Sequence, residues 1–346
     1  MPILDQMPSF ILENIASRLE LKSRMRLRKT SKQLRAVVDN SHHDIATMLL
    51  LLEDNNAIFN ISTRTDPDFE IYYKERPFGC LIESSEKNQE TGTRIEKKTH
   101  TVKGMDSYKT ALSDFKTFVK NPKCSIKQFE LTINGNIEDF VDDDLDDDFD
   151  DDFDDEDEDE DEDEADCLDA NLELTQTLRS LNKQLFVEKL YITCLHNEIV
   201  ISELLPFFKT GTLTTIGLCM YPFEYNWMAL EQWRQVKELD VSSGIPIDQL
   251  LHCNKFELST INEFSLEGVT TMIETAIRRV EQFESFTVGS HLFADIDGIW
   301  SYIEREFPIV GNSEGHRYRR IQEANCYLRL FFDNKLLTID KTLVTE

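Results

Sequence analysis

Seven cysteines (positions 80, 124, 167, 194, 219, 253 and 326) and seven histidines (42, 43, 100, 196, 252, 291 and 316) are the side chains best suited to nucleophilic or transition-metal chemistry in this 346-residue chain. Their spacing supports neither. No C-x-x-C pair occurs, and His252-Cys253 has no second couple to complete a tetrahedral site. An odd number of unpaired cysteines points to buried free thiols in a reducing compartment. Neither G-x-x-x-x-G-K nor G-x-G-x-x-G is present, so "SSG" at Ser242–Gly244 and "GVTT" at Gly268–Thr271 read as turns, not phosphate cradles. No Ser-His-Asp set or carboxylate pair stands out from the acids and hydroxyls that any helix surface carries. The expectation is no catalytic residue, no cofactor and no metal, and a function in recognition.

Two features could carry recognition. The first is the tract "VDDDLDDDFDDDFDDEDEDEDEDEADC", Val141 to Cys167, in which 21 of the residues from Asp142 to Asp166 are acidic. Apolar residues interrupt it at every fourth position: Val141, Leu145, Phe149 and Phe153. Removing its 21 acids reduces the formal charge from −29 to −8, because 45 acids then face 37 bases. The acidity is local. Such a run repels itself and is expected to be a disordered insertion. Its spaced apolar residues leave open an acidic-hydrophobic segment that folds on a basic partner such as a histone, or that folds back on the chain's own basic region. The turn glycine of a calcium loop is missing. The second feature is an apolar stripe near the N-terminus, Met7, Ile11, Leu12, Ile15 and Leu19, followed by eight basic residues between Arg18 and Arg35 against the single acid Glu20.

The elements that would position these features follow from periodicity. Residues 1 to about 50 read as compact helices: Pro8 opens the first, Ser23 can cap a second, and Thr30 or Ser31 a third carrying Leu34, Val37 and Val38. Residues 57 to 83 carry short β-rich runs around Asp66-Pro67 and Pro77-Phe78-Gly79, and the polar stretch Ser84 to Gly104 reads as a loop. A helix resumes with Tyr108, Leu112, Phe115 and Val119 on one side. Beyond it, short alternating segments recur: "QFELTI", "KLYIT", "TIGLC", "ELDVS", "EFSLE" and "SFTVG". From Leu190 onward their first apolar members are offset by 26, 23, 25 and 22 residues, with amphipathic helical stretches between. One strand plus one helix per 20 to 29 residues is the pattern of a leucine-rich-repeat-like solenoid. The offset from Phe129 to Leu190 fits that rhythm only when the acidic tract is set aside as an insertion in the first connection.

No basic domain is present to release counterions from a phosphate backbone, so nucleic acid is not an expected partner. "MPILDQMPSF" lacks the features of a secretory signal, and the longest apolar run, Met48 to Leu52, is too short to cross a membrane. The expected location is cytoplasmic and/or nuclear, with no membrane partner.

The segment "LDQMPSFILENIASRLELKSRMRLRKTSKQLRAVV" resembles an F-box: Pro8, Ile11, Leu12, Ile15, Leu19, Leu27, Arg28, Lys32 and Leu34 fill its frame, with Met7 where Leu is commoner and Thr30-Ser31 in place of Val-Cys or Val-Ser. The remainder is similar to the FTH-type domain of the nematode F-box A family, on the helix from Leu112 to Asn121 and the "VEKLYI", "VKELDV" and "INEFSL" strands. The resemblance implies an α/β chain with an F-box at 1–50 and a β-rich linking segment with a polar loop at 51–104. An FTH-type repeat domain would follow at 105–140 and 168–346; the disordered acidic insertion expected at 141–167 between its parts is not a feature of the family. It further implies a non-catalytic substrate receptor of a Skp–cullin–F-box ubiquitin ligase. Met7, Pro8, Ile11, Leu12, Ile15, Leu19, Leu27 and Leu34 would bind the Skp-type adaptor, and through it a cullin. An unidentified protein target would lie on the polar strand face of Glu130, Thr132, Tyr191, Thr193, Asp240, Ser242, Ser265 and Glu267. The rival reading is an acidic scaffold or chaperone for histones or other basic proteins that works outside a ubiquitin ligase.

Overall fold

The computed structural model describes residues 7–53, 56–63, 69–87, 94–133, 160–194, 201–220, 225–242, 245–307, 316–321, 326–332 and 335–343. It divides into two compact units, Met1–Thr212 and Leu213–Glu346.

The first unit begins with three helices, α1 (Ser9–Arg18), α2 (Leu21–Arg28) and α3 (Lys32–Asp39). Leu12, Ala16, Leu34, Val37 and Val38 form their shared core, and Met7, Met25 and Leu27 pack at its margin. Ser31 caps α3 by accepting from the Leu34 amide at 3.2 Å. α2 starts directly behind Glu20 with no side-chain cap, so Ser23 lies inside its first turn instead of capping it.

The next strand is where the helical reading of residues 1 to 50 stops holding. His43–Glu53 is strand β1, not helix. Its run "MLLLL" is apolar on both faces, and periodicity cannot separate a doubly buried strand from a buried helix. Strands β2 (Asn56–Ser62), β3 (Phe69–Arg76), β4 (Gly79–Lys87) and β5 (Arg94–Lys103) then form an antiparallel meander. The expected polar loop over Ser84 to Gly104 is therefore largely strand. β5 needs no apolar alternation because it is an edge, and charged side chains are what an edge strand tolerates.

Helix α4 (Ser107–Val119), capped by Asp106 on the Lys109 amide at 2.6 Å, leads to strand β6 (Cys124–Ile133), which lies parallel to β1. Helix α5 (Glu160–Arg179) and strand β7 (Phe186–Cys194), parallel to β6, complete a β–α–β crossover, followed by the short α6 (Ile201–Leu204). The strand order is β7-β6-β1-β2-β3-β4-β5. Most of the acidic tract lies outside the described residues. Its last part, Glu160 to Cys167, is helix, which shortens the expected 141–167 disordered insertion at that end. Ala170, Leu174 and Leu178 anchor this helix in the core.

Register explains the core. Met48 sits between Ile61 and Phe129, Leu50 between Phe59 and Leu131, and Leu52 between Ala57 and Ile133, all buried. β7 extends these rows with Leu190, Ile192 and Cys194. α4 lays Phe115 and Phe118 across the sheet: Phe59 meets both edge-on at 6.2 and 5.5 Å, and Phe115 stacks on Phe129 at 5.7 Å.

In the second unit, strands β8 (Thr215–Met220), β9 (Glu238–Val241), β10 (Lys255–Phe264) and β11 (Ser285–Phe293) run parallel. Between them lie the short α7 (Glu231–Arg234) and the longer α8 (Leu266–Arg278); α9 (Ile296–Glu306) follows β11. β12 (His316–Ile321), β13 (Cys326–Phe332) and β14 (Leu336–Leu343) add antiparallel strands, in the order β12-β13-β14-β11-β10-β9-β8. Two apolar rows cross it: Ile216, Leu239, Phe256, Phe286 and Ile339, and Leu218, Val241, Leu258, Val288 and Leu337. Phe256 stacks on Phe286 at 4.2 Å. The strand expected at "EFSLE" is displaced: the core pair is Phe256 and Leu258, so Leu239 to Phe256 spans 17 residues and Phe256 to Phe286 spans 30. A bulge in β10 between Leu258 and Ile261 brings the Ser259 carbonyl against Gly289, where a Cβ would lie only 2.2 Å from that oxygen.

His43, at the start of β1, is 2% exposed, and burial together with the nearby Arg24 charge lowers its pKa from 6.5 to about 4. A depressed histidine pKa means that the unfolded chain takes up the proton first. Stability is therefore complete above pH 6.5 and falls as pH drops toward 4, by up to about 3 kcal/mol. Urea midpoints of wild type and His43→Leu across that window should differ in acid dependence, with the variant losing less stability on acidification.

Candidate functional site

The expected adaptor-contacting residues fall into two groups. Leu12 and Leu34 are 1% and 3% exposed and belong to the helical core. Met7, Ile15, Leu19 and Leu27 are half-buried, while Pro8 and Ile11 face solvent. Phe10, 70% exposed on the first turn of α1, extends that open patch and was missed by the periodicity argument. It lies off the i, i+4 stripe. Its signal is a large aromatic two residues after the helix-opening proline, where burial inside the helical cluster would require it to be in phase with Leu12. Pro8, Phe10 and Ile11 thus form a small uncovered apolar surface at the start of α1.

The basic run is partly structural. The Arg24 guanidinium donates to the carbonyls of Leu19, Ser17 and His42 at 2.7, 2.9 and 2.7 Å, closing the C-terminal end of α1 and fixing the approach to β1. Arg28 pairs with Asp39 of α3, Nε to Oδ1 at 2.5 Å. Arg18, Arg26, Lys29, Lys32 and Arg35 remain exposed. A second tie holds these helices to the sheet: the buried Asn121 donates from Nδ2 to the Ser41 carbonyl at 2.7 Å and accepts from the Lys123 amide at 2.8 Å.

The polar strand positions are brought together only in part. Glu130 pairs in register with Tyr191 and Thr132 with Thr193, so these four share one half-buried face of β6 and β7. In the second unit Asp240 is exposed between Gly217 and Glu257, and the Ser242 amide donates to the Leu218 carbonyl at 3.0 Å. Ser265 and Glu267 do not belong to a strand face. β10 ends at Phe264, Ser265 caps α8 by accepting from the Gly268 amide at 3.2 Å, and Glu267 lies in the first helical turn. The cap directly before the amphipathic run "LEGVTTMIETAIRRV" is the signal for this boundary.

Burial pushes the Cys124 and Cys253 thiols up to about 12, which keeps them protonated at neutral pH. His252 sits beside Cys253 but is engaged with the carbonyls of Gln249 and Trp233 at 2.9 and 3.1 Å, and burial lowers its pKa. Among the described residues no group of three or more His, Cys, Asp or Glu is arranged to hold a metal ion, and no helix is long and apolar enough to cross a membrane.

Residues 4–45, which contain all three N-terminal helices, match the F-box domain, and residues 170–299 match the FTH domain. The chain is an F-box protein with an FTH-type domain. F-box domains bind Skp-type adaptors and through them cullins, and F-box proteins are typically non-catalytic receptors. The match ends at residue 45, the third residue of β1, so F-box and sheet share a continuous backbone. The FTH match begins inside α5 and ends inside α9, leaving β1 to β6 outside it. No curated protein and no solved structure matches the chain.

Separating core from surface on α1 gives a direct expectation. Leu12→Ala should destabilise the protein by about 2–5 kcal/mol, because it opens a cavity against Ala16, Leu34 and Val38. Phe10→Ala should change stability by no more than about 0.5 kcal/mol. Chemical denaturation of the two variants measures both, and equal losses would remove Phe10 from the surface patch.

Proposed function

We propose that this F-box protein recruits a protein target to a Skp–cullin–F-box ubiquitin ligase. The observation that carries the reading is the uncovered Pro8–Phe10–Ile11 patch on a helix lying within the F-box match. An apolar helix face of this kind suits a groove on a partner, with pairs of aromatic and aliphatic side chains as anchors. The exposed Arg18, Arg26, Lys29, Lys32 and Arg35 would speed the encounter with an acidic adaptor more than they would tighten the complex. Leu12 and Leu34 act in this scheme by holding the helices in shape, and Leu19 and Leu27 flank the contact.

The target-binding role falls to the strand faces that the helices leave uncovered, as in a leucine-rich-repeat-like solenoid. The Glu130–Tyr191 and Thr132–Thr193 pairs, and Asp240 beside Glu257, are polar, adjacent and accessible. The chain contributes proximity: it would hold target lysines near a charged conjugating enzyme, and the covalent chemistry belongs to other subunits. Work in the cytoplasm and/or nucleus accords with this role.

The test uses the full chain and a purified Skp-type adaptor. Phe10→Asp combined with Ile11→Asp should weaken adaptor binding at least about tenfold, which is about 1.4 kcal/mol, without shifting the thermal midpoint beyond that of Phe10→Ala. Isothermal calorimetry provides the affinity. Unchanged affinity in a folded double variant, or no binding by the wild type, sinks the proposal.

A further inference from the structure

Between α2, the inner face of the meander and α4 lies a groove of about 750 Å³, all within the first unit. Its floor is apolar: Ile61, Ile71 and Ile82 from neighbouring strands are buried beneath it, and Phe118 of α4 and Leu21 of α2 form its sides. α4 covers only part of the sheet face, and the remainder is left as this opening. Its rim is cationic. Arg26 and Lys29 project from α2, and Lys98 and His100 from the edge strand β5, all exposed. Two carboxylates face them. Glu20 is exposed, and Asp114 already accepts the Tyr73 hydroxyl at 2.8 Å while burial raises its pKa.

We propose that this groove is the docking site of the chain's own acidic segment, Val141 to Asp159. Three observations converge on that occupant. The segment joins Ile133 at the end of β6 to Glu160 at the start of α5, and α5 packs on α4, with Glu173 Oε1 3.5 Å from Lys109 Nζ. α4 also lines the groove through Thr110, Ser113 and Asp114, so one end of the segment is joined to a helix that packs against an element of the site. The 26 residues from 134 to 159 reach at most about 90 Å when extended, and the tether keeps the local concentration of the segment high.

The charges are complementary. Fifteen acids between Asp142 and Asp159 meet a rim that carries Arg26, Lys29 and Lys98. The apolar residues supply the third argument. Leu145, Phe149 and Phe153 would be superfluous in a purely solvating run, and a groove of this volume accepts a pair of aromatic side chains. The basic residues of α2 not spent on Asp39 or on backbone carbonyls would then have a partner within the same chain.

Zero-length carbodiimide coupling tests this on the intact protein, because it joins a carboxylate to a lysine amine only at contact. Links from the 142–159 acids to Lys29 and Lys98 should exceed those to the exposed Lys120 and Lys127 about fivefold at low salt, and should decline on raising NaCl from about 50 to about 500 mM. Phe149→Ser with Phe153→Ser, which preserves every charge, should reduce the Lys29 and Lys98 links at least about threefold, since burial of two rings is lost. Mixing heavy- and light-isotope protein identifies the source of each link. Links between differently labelled chains would replace the intramolecular site with one for a second copy. Equal yields at all four lysines, or yields indifferent to the phenylalanine changes, would show the tract to be a solvated acidic run with no seat in the groove.

Discussion

The first unit depends on burying strand β1 along nearly its whole length. Met48, Leu50 and Leu52 point into one core while β2 and β6 satisfy the backbone on either side, antiparallel and parallel respectively. A strand apolar on both faces can exist only in the middle of a covered sheet, since at an edge it would be an aggregation site. That one requirement brings a distant strand, β6, back beside it. It also forces α4 across the joint, so that Phe59, Phe115, Phe118 and Phe129 meet from three separate elements.

The same strand explains how a module of about forty residues can present an apolar patch without collapsing onto it. Three short helices bury too little surface to be rigid by themselves. Here they have two fixed attachments at the point where α3 gives way to β1. Arg24 spans from the end of α1 to the His42 carbonyl, and Asn121 reaches from just beyond the end of α4 to the Ser41 carbonyl. Hydrogen bonds to otherwise unpaired carbonyls are worth more for orientation than for net stability. With the helices held from behind, Phe10 and Ile11 can stay uncovered and available.

Much of this was legible in the residues, and the exceptions have physical causes. The rows Phe129–Leu131, Leu190–Ile192 and Phe286–Val288 alternate with polar neighbours, and period-two alternation identifies a strand with one face buried. β1 shows no such alternation because its second face carries Leu49, half-buried, and Leu51, buried, in place of polar residues, and residues 98–101 of β5 show none because they are exposed at an edge. Ser265 and Glu267 were misplaced for a third reason: Phe264 and Leu266 satisfy the alternation across a strand–helix boundary that only the Ser265 cap marks. Phe10 escaped notice because periodicity finds residues that agree with a buried stripe, whereas a recognition residue is one that disagrees with it.

The distribution of charge follows a related logic. Of the basic residues clustered between Arg18 and Arg35, Arg24 and Arg28 are tied to carbonyls and to Asp39, where their charge orders the helices. The Arg24–Leu19 and Arg28–Asp39 bonds are part-buried and lose little to salt. The cations left over are exposed, and exposed pairs contribute little to stability yet strongly affect which surfaces meet and how fast. The basic run therefore does two separable jobs with residues of one type. Raising the ionic strength should leave the architecture of α1 to α3 intact while weakening whatever Arg26 and Lys29 attract, because only the second group works through solvent.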